Sequence, residues 1–176
     1  LEIMGGALAS PKRPLVAILG GSKVSSKIGV INHLLDIADM IIIGGGMAYT
    51  FAKAQGGSVG KSLLESDWLD YCNDMLAKAK EKGVALLLPE DTQCAGEFSA
   101  DAVPVLHGAR SIPDDMMGMD IGPKTIAAYT AAVKGAGTVI WNGPMGVFEF
   151  PAFAEGTRAV AKALAETDAI TIIGGG

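Results

Sequence analysis

The sequence predicts an α/β fold of three layers, a parallel sheet with helices on both faces, and three observations carry that expectation. Short apolar runs recur at Leu15 to Leu19, Met40 to Ile43, Val84 to Leu88, Thr138 to Trp141 and Ile170 to Ile173. Their apolarity is continuous rather than alternating, as a strand covered on both faces requires. Helical patterns separate them, so the chain reads as βαβ units with crossover helices between parallel strands. Glycine clusters follow the strand runs, at Gly20-Gly21, Gly44-Gly45-Gly46, Gly143 to Gly146 and Gly174 to Gly176. A Rossmann-like domain binds its ligands in that zone, beyond the carboxyl ends of its strands.

The helices follow in order. Ile28, Ile31, Leu34, Leu35 and Ala38 share one face after the first strand, and Ala48 to Ala54 is helix-like. A longer helix is expected from Asp67 to Lys82, with Ser66 as its N-cap and Leu69, Leu76 and Ala79 facing inward. Pro123, whose fixed φ suits the first helical position, opens another that runs through Ile126 and Tyr129 to Lys134. The last covers Phe153 to Glu166. Pro89 to Pro113 has no regular period and receives no assignment.

Composition narrows the function classes. The chain has 176 residues, the size of one domain, with 49% apolar and 19% charged residues, too apolar for disorder. A net charge of -5 and the lack of a basic cluster argue against a nucleic-acid partner. No apolar run reaches the roughly 20 residues of a membrane helix, and Leu1 is not followed by a signal-peptide pattern. Cys72 and Cys94 match no zinc or redox spacing, which suits ordinary reduced thiols in the cytoplasm. The start on Leu1 and the stop on three glycines directly after a strand run suggest that both ends are cut.

The motif richest in chemistry is Gly20-Gly21-Ser22-Lys23-Val24-Ser25-Ser26-Lys27. Glycines admit close backbone approach to a phosphate, and a helix start offers N–H groups and partial positive charge. Lys23 and Lys27, four residues apart, would share a helical face and repel unless an anion lay between them. The competing reading is a strand-end turn with two solvated lysines. The dinucleotide pattern G-x-G-x-x-G does not fit, because Ser22 and Lys23 occupy glycine positions. Gly60-Lys61-Ser62 mimics the end of a Walker A loop, but the required upstream glycine is replaced by Gln55 and a helix-like stretch, Ala48 to Ala54, stands where a strand is required.

Other strand ends carry further candidates. Gly44-Gly45-Gly46 reads either as a tight turn or as a ligand contact. Met117-Gly118-Met119, ahead of Asp120 and a helix start, reads either as core packing or as an adenine-contacting loop. Trp141 to Glu149 combines a strand end, a turn and a carboxylate, and Glu149 could accept hydrogen bonds from a ribose or simply face solvent. His33, His107 and the Asp114-Asp115 turn read as structural.

Taken together, Gly20 to Ile28, Gly44 to Ala48, Gly60 to Leu63, Asp120 to Pro123 and Trp141 to Glu149 closely resemble, in order and spacing, the nucleotide-binding C-terminal domain of phosphoglycerate kinase. The resemblance covers nearly the whole chain, so residues 1–176 would be that domain, truncated at both ends, without the N-terminal phosphoglycerate-binding domain. It implies reversible transfer of a phosphoryl group from 1,3-bisphosphoglycerate to ADP in glycolysis, with Mg2+ accompanying ADP or ATP. By position, Lys23 would follow the transferring phosphoryl group, Lys27 would hold the nucleotide phosphates, and Gly175 and Gly176 would steady the transferred group. Gly21, Gly44, Gly45, Leu63, Met117, Gly118 and Met119 would form the adenine pocket. Asn142, Pro144 and Val147 would surround the nucleotide, and Glu149 would bind the ribose. The family's metal-binding aspartate would directly follow Gly176, so no metal ligand is assigned within the chain. Glu90 departs from the family's small apolar residue. The resemblance also implies a cytoplasmic enzyme, monomeric when intact, and a chain inactive by itself; a noncatalytic nucleotide-binding or interaction module is the alternative.

Overall fold

The computed structural model describes residues 12–173. The expected three layers are present. Strand β1 (Leu15–Leu19) leads through a one-turn 3-10 helix (Val24–Ser26) into α1 (Ile28–Ile37), then β2 (Met40–Ile43) and α2 (Met47–Ala54). A short β3 (Ser58–Val59) precedes α3 (Leu69–Lys82) and β4 (Ala85–Leu87). After α4 (Pro123–Lys134) come the last two sheet strands, β9 (Thr138–Asn142) and β10 (Ile170–Ile173), with α5 (Glu155–Glu166) between them. The central sheet is parallel in the order β10-β9-β1-β2-β4.

Alternation along β1 shows how this sheet is stabilised. Leu15, Ala17 and Leu19 join one core with Ile31, Leu34 and Leu35 of α1, Phe51 of α2 and Met75 of α3. Val16 and Ile18 join a second core with Tyr129 and Val133 of α4 and Val160 and Ala163 of α5. Successive side chains point to opposite faces, so one uninterrupted apolar strand supplies both cores. Each fully buried Leu, Ile or Val contributes about 1.5–3 kcal/mol relative to exposure. The edge strand departs from the expectation of burial on both faces: Ile170 is 52% exposed and Ile173 71% exposed.

Several expected boundaries move. Ser66 does not cap α3; it begins a separate one-turn 3-10 helix (Ser66–Trp68), and α3 starts at Leu69 without a side-chain cap. The final helix likewise starts at Glu155, after a 3-10 turn at Pro151–Phe153. The junction residues Trp68 (φ -111°, ψ 11°) and Ala154 (φ -102°, ψ -4°) depart from α-helical dihedrals and separate turn from helix. Met117 to Asp120 is not a loop before a helix but part of β8 (Met117–Ile121).

The unassigned stretch holds a second sheet. β5 (Asp91–Ala95) pairs antiparallel with β6 (Val105–Gly108) and with β8, with an irregularity at Gln93/Cys94. β7 (Ser111–Ile112) pairs with β3. These strands are short, and β5 (Asp-Thr-Gln-Cys-Ala) is mostly polar, so no apolar run announced them. The Tyr49 and Thr92 hydroxyls lie 2.7 Å apart, and Thr92 Oγ1 donates to the Asp120 carbonyl, joining the small sheet to α2. Burial pushes the Cys72 thiol up to about 12 and the Cys94 thiol up to about 11, which leaves both thiols protonated at neutral pH.

Asp91 caps α4 from outside the helix. Its carboxylate accepts from the Lys124 amide at 3.0 Å, the Thr125 amide at 2.9 Å and Thr125 Oγ1 at 2.7 Å. Burial raises its pKa, but these hydrogen bonds outweigh that effect and hold it below 3.8. Asp91→Ala should therefore lower stability by about 2 kcal/mol, the upper range for a lost cap. Urea unfolding at pH 7 measures this, and a change of a few tenths would show that the cap contributes little.

Candidate functional site

The sheet order places a topological switch point between β1 and β9, where successive crossovers depart to opposite sides. Three strand-end loops meet there through main-chain bonds. The Gly20 amide donates to the Asn142 carbonyl at 2.7 Å, Gly21 to Pro144 at 3.3 Å, and Gly45 to Met145 at 3.0 Å. The Met47 amide donates to the Gly21 carbonyl at 3.0 Å and fixes the start of α2. Gly45 has φ +73°, and a Cβ there would lie 2.5 Å from the Gly21 oxygen. Only glycine allows this approach.

A cleft of about 480 Å³ opens over these loops. Gly21, Ser22, Gly45 and Gly46 form one end; Leu63, Phe98, Met117, Gly118, Met119 and Val147 form apolar walls; Tyr49, Lys61, Pro144, Gly146 and Glu149 complete the lining. The walls are stitched together. The Gly118 amide donates to Ser62 Oγ at 2.8 Å, Lys61 Nζ donates to the Gly96 carbonyl at 2.6 Å, and the Val147 amide donates to the Met119 carbonyl at 2.8 Å. Gly118 lies against the Tyr49 ring, where any larger residue would overlap it. An apolar slot with a glycine-rich polar end suits a flat heterocycle carrying an anionic tail.

The lysines do not stand as the sequence suggested. Residues 23–27 are not α-helical: Lys23 is extended at φ -128°, ψ 124° before the 3-10 turn, and Lys27 precedes α1 at φ -115°, ψ 6°. The expected shared helical face is therefore absent. Lys23 is exposed, whereas Lys27 is half-buried and donates to Asn142 Oδ1 at 2.6 Å. Its chain passes Gly21, where a Cβ would lie 3.4 Å from Lys27 Cε. Neither lysine lines the cleft: Lys27 stands beside Gly21 at its glycine end, and Lys23 directly follows the lining residue Ser22 in sequence.

The comparisons with known proteins decide the family. A family model described as phosphoglycerate kinase matches residues 1–176. The chain belongs to the phosphoglycerate kinase family. It is 59% identical over 176 residues to the phosphoglycerate kinase of Clostridium botulinum and 60% identical to that of Clostridium novyi, covering 100% of this chain and 44% of either relative. The solved phosphoglycerate kinase of Coxiella burnetii matches with a TM-score of 0.96 and 48% identity over 99% of this chain and 45% of that one. That of Pyrococcus horikoshii matches with a TM-score of 0.84 and 29% identity over the same shares. The chain spans less than half the length of these relatives.

Among the residues nominated from the sequence, Gly21, Gly45, Leu63, Met117, Gly118, Met119, Pro144, Val147 and Glu149 line the cleft. Gly44 is buried behind it against the Met145 side chain. Asn142 stands at its margin through Lys27, and Gly175 and Gly176 lie outside the described residues. Tyr49, Lys61 and Phe98 also line it and were not nominated. Lys61 belongs to the Walker A lookalike, and Phe98 falls in the stretch without a period. Its signal was an aromatic side chain isolated among polar residues. It is 62% exposed and its ring centroid lies 5.0 Å from that of Phe150. Among the described residues, no three His, Cys, Asp or Glu side chains converge as a metal site, and no helix is long and apolar enough to cross a membrane.

Behind the cleft, Asp120 is 2% exposed and accepts from the Ile121 and Gly156 amides at 2.9 Å each. Burial raises its pKa from 3.8 to about 6, with the two amide bonds opposing. The folded state therefore holds this proton where the unfolded chain releases it, so stability falls as pH rises through that window, by up to about 3 kcal/mol. Asp120→Asn should remove that fall: the difference between variant and wild-type stability should grow from pH 4 to pH 7. Urea unfolding at each pH tests it, and a constant difference would reject the titration.

Proposed function

We propose that this chain is the nucleotide-binding, C-terminal domain of a phosphoglycerate kinase and that its cleft takes ADP or ATP. The observation that carries the reading is the convergence of motifs distant in sequence on one cleft, apolar at one end and glycine-rich at the other. Adenine would lie between Leu63 and the Met117 to Met119 strand, with Val147 and Phe98 excluding water. Glu149 at the rim would accept hydrogen bonds from the ribose hydroxyls. The phosphates would run toward Gly21, with Lys27 on the nucleotide phosphates and Lys23 following the transferring group. Lys27 would do so by leaving or sharing its bond to Asn142 Oδ1.

Phosphoryl transfer passes through a loose transition state with charge spread over its oxygens, so positioning and cationic stabilisation do most of the catalytic work. No general base is required, because the acceptor for ATP use is a carboxylate already ionised at neutral pH. Mg2+ bound with the nucleotide would neutralise phosphate charge. The phosphoglycerate would be brought by the part of the longer relatives that this chain does not span. Closure of two domains then completes a site of this kind, and the 176-residue chain alone would bind nucleotide without turnover.

Calorimetry should show one saturable ADP site, and Lys27→Ala should weaken ADP about tenfold or more, the loss expected for one charge-assisted hydrogen bond. Unchanged affinity would remove Lys27 from the phosphate site. A coupled assay of the chain with 1,3-bisphosphoglycerate and ADP should give no ATP above background. Sustained turnover would overturn the assignment of this chain as an incomplete enzyme.

A further inference from the structure

Glu65 connects the two ends of the cleft without lining it. Oε1 accepts from the Ser25 amide at 3.1 Å, and Oε2 accepts from Ser25 Oγ at 2.5 Å. The Glu65 amide donates to Oγ1 of Thr50, a residue 1% exposed within α2, at 3.2 Å. Ser25 is the middle residue of the 3-10 turn between Lys23 and Lys27, and Glu65 follows Leu63 by two positions. One side chain therefore grips the lysine-bearing turn while its own backbone, two residues after Leu63, is fixed to α2.

This carboxylate does not serve as a counter-ion. The ion pairs among the described residues are Arg13–Asp39, Lys82–Asp36 and Arg158–Glu155. Lys23 and Lys27 flank Ser25, yet Glu65 takes the amide and hydroxyl between them. A two-point hold by a charged acceptor on a short turn restricts orientation more than a single bond does. In a site that works by alignment, such restriction raises affinity by reducing the ordering cost on binding.

We propose that Glu65 is a positioning residue whose grip on Ser25 holds the lysine-bearing turn in register with the Leu63 wall, so that one ligand can engage both. The inference rests on the nucleotide reading above and adds a residue that does not touch the nucleotide. It also fixes a sign. Removing a negative charge beside an anion site should, by Coulomb attraction alone, tighten polyphosphate binding. Loss of positioning should weaken it.

The test uses Glu65→Gln, which keeps the side-chain volume, and titrates adenosine, ADP and ATP into wild type and variant. ADP and ATP should bind about fivefold or more weakly to the variant, with adenosine within about twofold of wild type. Equal or tighter ADP binding by the variant overturns the proposal. A second arm needs no ligand: exchange of the Ser25 amide hydrogen should be about tenfold faster in the variant, as a locally released turn requires. Unchanged exchange also overturns it. If wild type binds no nucleotide, the reading of the cleft fails, and the exchange arm alone decides whether Glu65 holds the turn.

Discussion

The contact on which the rest of the site depends is the main-chain junction between the loops after β1, β2 and β9. Gly20, Gly21 and Gly45 donate to carbonyls of Asn142, Pro144 and Met145, so three loops behave as one surface. Side chains would hold these backbones apart. Gly143 has φ +96°, and with Gly20 it forms a mutual approach in which a Cβ on either would overlap the other loop. The Trp141 indole N–H donates to the Gly143 carbonyl at 2.7 Å and closes the turn from the strand side. At this junction glycine stands where backbone must touch backbone, and the cleft is its result.

Around that junction the sheet separates two unlike supports. One core, with α1, α2 and α3, takes in Val24 of the lysine turn. The other lies with α4 and α5, while Met119 and Val147 pack with Ala95 and Phe153 in a smaller cluster. Tyr129 connects the second core to the strand ends: its buried hydroxyl donates to the Ile43 carbonyl at 2.6 Å, directly before the triple glycine. Asp120 and Asp91 do similar work with carboxylates, each tying a β-strand to the first turn of a helix. Buried polar groups of this kind fix the relative orientation of elements that apolar packing alone would leave freer to slide.

What the sequence made legible follows from the strength of each local signal. Continuous apolar runs marked the strands of the central sheet; burial on both faces accounts for them in β1 and β2, whereas β10 carries such a run at an edge where Ile170 and Ile173 are exposed. Pro123 marked α4 because its constraint is covalent. The β5, β6 and β7 strands stayed hidden because they are short and their burial is uneven. The cleft residues that sat within repeated glycine motifs were found, while Tyr49 and Phe98 reach the cleft only through tertiary packing. The lysine spacing misled for a related reason: four residues imply a shared face only in an α-helix, and Glu65 holds this segment as a tighter turn.

The pairing of β1 with β9 has a consequence for how the molecule is made. Leu15 stands beside Thr138 and Leu19 beside Asn142 in the finished sheet. A chain emerging vectorially must keep its first strand unsatisfied on that side until most of the domain has been synthesised. Such non-local closure slows folding and prolongs exposure of an apolar edge. The seam where the cleft forms thus closes only once β9 has been made, with β10 alone still to add at the edge, so the pocket assembles near the end of sheet formation.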